Sequence, residues 1–152
     1  MRKNSIIIDA CVFLKLFFDE EGSKDAREFL ENIVVSGNTQ IIVPSLFWYE
    51  VVVQISKTDV SLENVFECFE MYKSVCLSVA ELDLQTSQKA KEITKKGHEK
   101  SGYPSFYDSV YHALAIQNNC DFITADHPHF IKTKKLGNIK MLSDVISHEE
   151  NE

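Results

Sequence analysis

Four carboxylates in this chain stand where ordinary folding gives little reason for one. Asp9 ends the apolar run Ile6-Ile7-Ile8, and Glu50 lies inside the apolar stretch Leu46 to Ile55. Asp108 opens the apolar segment Ser109 to Ile116, and Asp126 directly follows Phe122-Ile123-Thr124-Ala125. Each acid is tied to a separate apolar element. Together they suggest one oxygen-rich pocket for a hard divalent cation. Without a cation, clustered carboxylates repel one another and their pKa values rise. With one, a bound water is activated and a leaving oxygen is stabilised, which is the chemistry of phosphodiester hydrolysis.

Every acid except Glu50 has a local rival explanation. Asp9 is placed to cap a following helix, and Asp108 completes a capping box with Ser105. Asp126 suits the turn before His127-Pro128. Glu50 sits in a helix interior, where there is no cap to form. Its neighbours at helical spacing are Leu46, Phe47, Val53 and Gln54, none of them cationic. A buried, unpaired carboxylate is costly, so Glu50 needs a distant partner, an ion or an exposed face.

The elements that must position these acids can be read from periodicity and punctuation. A buried strand covers 4–8, helices follow over 10–18 and 23–35 with Ser23 as an N-cap, and a strand covers 40–43. Ser45 and Ser61 open two further helices. Later come a strand at 75–79, a helix at 84–96, a helix at 105–118, a strand at 121–125, a short irregular or helical segment, and a last strand near 139–142. Strands alternating with helices predict an α/β fold with a largely parallel sheet. Ligands of such sheets bind beyond the carboxyl ends of the strands, where strand order reverses. Asp9 and Asp126 are both at carboxyl ends.

The length of 152 residues fits one compact domain, read as residues 1–145 with a polar tail at 146–152. No apolar run approaches a bilayer span and the N-terminal apolar run is too short for a signal peptide, so a cytoplasmic location is expected. The four cysteines form no C-x-x-C pair and read as reduced, buried thiols. A net charge of −7 argues against broad, non-specific nucleic-acid affinity. Lysines gather at Lys89, Lys91, Lys95, Lys96 and Lys100, and again at Lys132, Lys134 and Lys135, and solvated helix faces and loops are the simpler reading of both groups. His112 reads as a helix-face residue with an ordinary hydrogen bond, and His127 and His129 as parts of an exposed turn. Of Phe47, Trp48 and Tyr49, at least one must face a core or an oligomer contact, because three consecutive residues cannot share a helix face.

The ordered set Ile6-Ile7-Ile8-Asp9-Ala10, Pro44-Ser45 through Glu50, Tyr107-Asp108 with Ala113-Leu114-Ala115, and Thr124-Ala125-Asp126 resembles the PIN-domain nucleases, in particular the VapC-like toxin ribonucleases. The resemblance covers essentially the whole chain. It implies a three-layer fold with a central parallel sheet in order 3-2-1-4-5. It implies Mg²⁺ or Mn²⁺ held by Asp9, Glu50, Asp108 and Asp126, with Thr124 supporting the last acid. It further implies RNA as substrate, 5′-phosphate and 3′-hydroxyl products, a homodimer and a small antitoxin partner. One departure is Cys11, where the family usually has Ser, Thr or Asn; a thiol is a poorer hydrogen-bond partner. Two other readings keep the scaffold: an RNA-processing nuclease without antitoxin, and a catalytically inactive interaction module.

Overall fold

The computed structural model of the chain describes residues 4–97 and 99–149. Five strands make one sheet: β1 (Asn4–Ile8), β2 (Thr39–Pro44), β3 (Leu77–Ala80), β4 (Asp121–Thr124) and β5 (Ile139–Met141). Their order is β3-β2-β1-β4-β5 and every pairing is parallel, as expected. Parallel neighbours need crossovers, and helices supply them. These are α1 (Ala10–Leu14), α2 (Ser23–Ser36), α3 (Leu46–Ile55), α4 (Leu62–Val75), α5 (Leu84–Thr94), α6 (Phe106–Gln117) and α7 (His127–Thr133); a further helix, α8 (Leu142–Glu149), follows β5.

β1 is central, with Ile7 and Ile8 fully buried. The sheet's order changes direction between β1 and β4, because the chain moves outward through β2 and β3 and then returns to β1's other side. Asp9 and Asp126 therefore follow the two strands that flank the switch point. α6 packs over β1, β2 and β4, and so carries Asp108 to the same end.

Beneath that end lies an aromatic cluster. The Phe13 ring meets those of Phe17, Phe47, Phe69 and Tyr72 at centroid distances of 5.5, 5.6, 6.1 and 5.8 Å. Trp48 stacks on Phe69 at 4.2 Å. Phe47 is fully buried and Tyr49 is exposed, so the three consecutive aromatics divide between core and surface as helical geometry requires.

Three local expectations change. The first helix ends at Leu14, and i→i+3 bonds from Leu16 and Phe17 tighten the chain into a turn. The cap of α2 is Gly22, at φ 83°, while the Ser23 hydroxyl donates to the Phe18 carbonyl at 2.7 Å and so closes that turn. The polar tail is in larger part a helix: Leu142 and Ile146 are buried, and α8 packs against α2. Leu142, Val145 and Ile146 provide the helical spacing that brings this about. Residues 150–152 of the expected tail lie outside the described residues.

Candidate functional site

All four acids line one open cavity of about 550 Å³ at the carboxyl end of the sheet. Asp9, Glu50 and Asp108 are electrostatically coupled, and Asp126 stands at the exposed rim. Asp9 keeps the capping role expected of it, Asp126 caps α7 instead of serving only as a turn residue, and Asp108 shows only the Ser105 half of the expected box. Asp9 Oδ1 accepts from the Cys11 amide at 3.5 Å at the start of α1. Asp126 Oδ1 accepts from the His129 amide at 3.1 Å at the start of α7. The Asp108 amide donates to Ser105 Oγ at 3.1 Å. Capping and clustering are compatible, because helices that begin at strand ends place their first residues around a common opening.

Thr124 joins two of the acids. Fully buried, its hydroxyl donates to Asp9 Oδ2 at 2.9 Å and accepts from the Asp126 amide at 3.0 Å. The one hydroxyl proton is thereby committed to Asp9. Cys11 Sγ, 4.0 Å from Thr124 Oγ1, is left as the donor in that weak contact. Burial and the neighbouring Asp9 charge push the Cys11 thiol well up, so it stays protonated.

Glu50 has a partner that sequence spacing could not reveal. Tyr111, 61 positions away on α6, donates its hydroxyl to Glu50 Oε1 at 2.9 Å. Even so, burial lifts Glu50 to about 7, with repulsion from Asp9 and Asp108 adding to it. Asp9 rises to about 6, first through burial and then through Asp108, against the lowering effect of the Thr124 hydrogen bond. None of the residues lining this cavity is Lys, Arg or His. No basic side chain of the cavity wall therefore offsets the acids.

An oxygen-only, uncompensated donor set suits a hard divalent cation. Among the described residues, however, no three acids, histidines or cysteines stand close enough together to enclose an ion. Direct ligation by all four acids is not what this geometry displays. Mg²⁺ takes one or two carboxylates directly and keeps several waters, a demand that an open acid-lined cavity can meet.

The histidines divide. His112 is fully buried, with Nε2 2.7 Å from the Gly137 carbonyl oxygen, which is the ordinary hydrogen bond expected of it. His129 is a correction: instead of an exposed turn residue it is 3% exposed, with its ring 5.8 Å from that of Phe122. The turn reading failed because α7 packs back against β5 and brings the His129 ring onto Phe122 of β4. Lys89 on α5 and Lys96 just beyond its end both pair with Glu92, at 3.5 and 2.8 Å, as solvated face residues do.

Fold and site together define a doubly flanked parallel α/β domain with an acidic cleft at its topological switch point. The PIN domain family model matches residues 6–136, and the chain belongs to that family. Three solved structures are similar in fold. A toxin–antitoxin complex from Klebsiella pneumoniae has 14% identity and a TM-score of 0.64, covering 90% of this chain and 97% of that one. VapBC2 from Rickettsia felis, bound to a DNA fragment from its promoter, has 16% identity and a TM-score of 0.65, covering 90% and 96%. VapC20 from Mycobacterium tuberculosis, a Sarcin-Ricin loop cleaving toxin, has 12% identity and a TM-score of 0.64, covering 88% and 95%. No curated protein matches the sequence. Among the described residues, no helix is long and apolar enough to cross a membrane.

Proposed function

We propose that this chain is a divalent-metal-dependent endoribonuclease and the toxin of a toxin–antitoxin pair. The observation that carries the reading is the acidic cavity, where Asp9 and Glu50 are raised and no cation balances them. Asp9, Glu50, Asp108 and Asp126 are the residues that would hold Mg²⁺ or Mn²⁺. When bound, the ion supplies charge stabilisation at the phosphate and makes a bound water more acidic.

The protein's own groups do the rest. Thr124 fixes the Asp9 carboxylate, and the Asp126 amide holds Thr124 in turn. Glu50, oriented by Tyr111, is the residue placed to accept a proton from the attacking water. The water oxygen bonds to phosphorus, the bond from phosphorus to the 3′ oxygen breaks, and that oxygen takes up a proton. The products carry 5′-phosphate and 3′-hydroxyl ends. Tyr49 and Val53, exposed on α3 beside the cavity, offer apolar surface to an RNA base or to a partner's segment.

An RNA substrate and an antitoxin partner draw support from the similar structures, two of which concern toxin–antitoxin systems and one a Sarcin-Ricin loop cleaving toxin. A homodimer and a cytoplasmic location belong to the same reading. The decisive experiment is cleavage of end-labelled RNA with Mn²⁺ or with EDTA. Asp9→Asn and Glu50→Gln are each expected to lower the rate at least about a thousandfold, roughly 4 kcal/mol of barrier. Cleavage by both variants at the native rate would remove the assignment. Co-purification of a small protein encoded beside this chain's gene tests the toxin half separately.

A further inference from the structure

Among the described residues, two buried side chains keep ring nitrogens without a hydrogen-bond partner: His112 at Nδ1, and His129 at both nitrogens. His112 is half satisfied through Gly137. His129 has nothing comparable, although it is only 3% exposed. An imidazole buried in this way costs the fold stability.

The ring's surroundings suggest what that cost supports. His129 Nδ1 lies 3.8 Å from Asp108 Oδ2. The His129 amide already donates to Asp126 Oδ1. One residue thus holds one acid with its main chain and faces a second with its ring. Phe122 backs the ring, and Thr133 Oγ1 donates to the His129 carbonyl, so main chain and ring are both restrained. Asp108 and Asp126 face the imidazole from one sign of charge, Lys132 from the other. A hydrogen bond of about 2.9 Å requires ring and carboxylate to approach by only about 1 Å. Among the described residues no other hydrogen bond or ion pair to the Asp108 carboxylate stands in the way.

We infer that His129 is a positioning residue for Asp108, its Nδ1–H closing onto the carboxylate and fixing its orientation in the loaded site. The catalytic meaning of this rests on the hydrolytic reading above; the pairing itself does not. Outer partners of this kind change metal affinity or activity by about 10- to 100-fold.

Two measurements test it. In metal-free protein, long-range ¹H–¹⁵N spectra should show His129 as one tautomer, protonated at Nδ1, whose ring shifts move on Asp108→Ala. Ring signals indifferent to that substitution overturn the pairing. Second, Mn²⁺ affinity is followed by electron paramagnetic resonance. His129→Phe keeps aromatic bulk against Phe122 without the donor, and should weaken Mn²⁺ binding about tenfold while melting near the native temperature. His129→Asn, which restores an N–H near the Nδ1 position, should recover affinity to within about threefold of native. Native affinity in the Phe variant, or equal loss in both, overturns the positioning role. Failure of the native protein to bind Mn²⁺ would sink the hydrolytic reading instead, and the metal-free spectra would still decide whether His129 holds Asp108.

Discussion

Helices α1 and α3 each serve two regions of opposite character. Toward the sheet's interior they present Phe13, Phe47 and Val51, all fully buried. Toward the cavity they present Cys11, Tyr49 and Glu50. The first region is satisfied: rings pack against rings, and among the described residues no buried polar side-chain atom is stranded there. The second is frustrated: like charges share one opening, and burial raises the pKa of two of them. A fold built only for stability would not place these side by side. The contrast shows that α1 and α3 use one face to anchor the charges that the other face holds in a costly arrangement.

Substitutions in the two regions should therefore act in opposite directions. Phe13→Ala removes the hub of the aromatic cluster and should destabilise the protein by about 4 kcal/mol, read from denaturant unfolding. An effect below about 1 kcal/mol would mean that the cluster is not an anchor.

Asp9→Asn should do the reverse in metal-free protein. The folded pKa of Asp9, about 6, lies above the ordinary aspartate value of 3.8, so its contribution to stability is full at low pH and is lost as pH rises through 6. At pH 8 the variant should be more stable than native by up to about 3 kcal/mol. The gap should close toward pH 4, and comparison between variants at each pH cancels the opposing titration of the buried histidines. Equal stability of both proteins at pH 8 would mean that the Asp9 charge is not strained.

Tyr111→Phe sharpens the boundary between the regions, since Tyr111 is core by burial and site by its hydroxyl. Losing a hydrogen bond to the charged form raises a carboxylate's pKa. The acid limb of the pH–rate profile for RNA cleavage should move to higher pH, with the rate at pH 7 falling about tenfold, or about 1.4 kcal/mol. An unmoved limb would separate Glu50 from proton transfer. The smallest effect belongs to the exposed pairs of Glu92: Lys96→Ala should shift the melting temperature by about 1 °C or less.

Much of this was legible in the chain. A continuous Ile run ending in Asp9 specifies a central strand with an acid at its carboxyl end, and Thr124-Ala125-Asp126 repeats the device on β4. Parallel topology then requires the two to be neighbours across the switch point. Contacts between distant segments were not legible. Nothing within a helical turn of Glu50 announces Tyr111, and His129 reads as a turn residue until α7 is seen to fold over Phe122. The C-terminal helix was hidden by composition: Ser143, Asp144 and Glu149 suggest a solvated tail, and only Leu142, Val145 and Ile146 carry the signal of an amphipathic turn.

That helix has a consequence for how the molecule comes into being. The family match stops at residue 136, yet Leu142 and Ile146 lie in the core and α8 rests against α2, whose Phe29, Leu30 and Ile33 are buried. A nascent polypeptide emerging from the ribosome has α2 early and its cover more than a hundred residues later. Until residue 146 has been translated, this face of α2 lacks the cover that α8 provides.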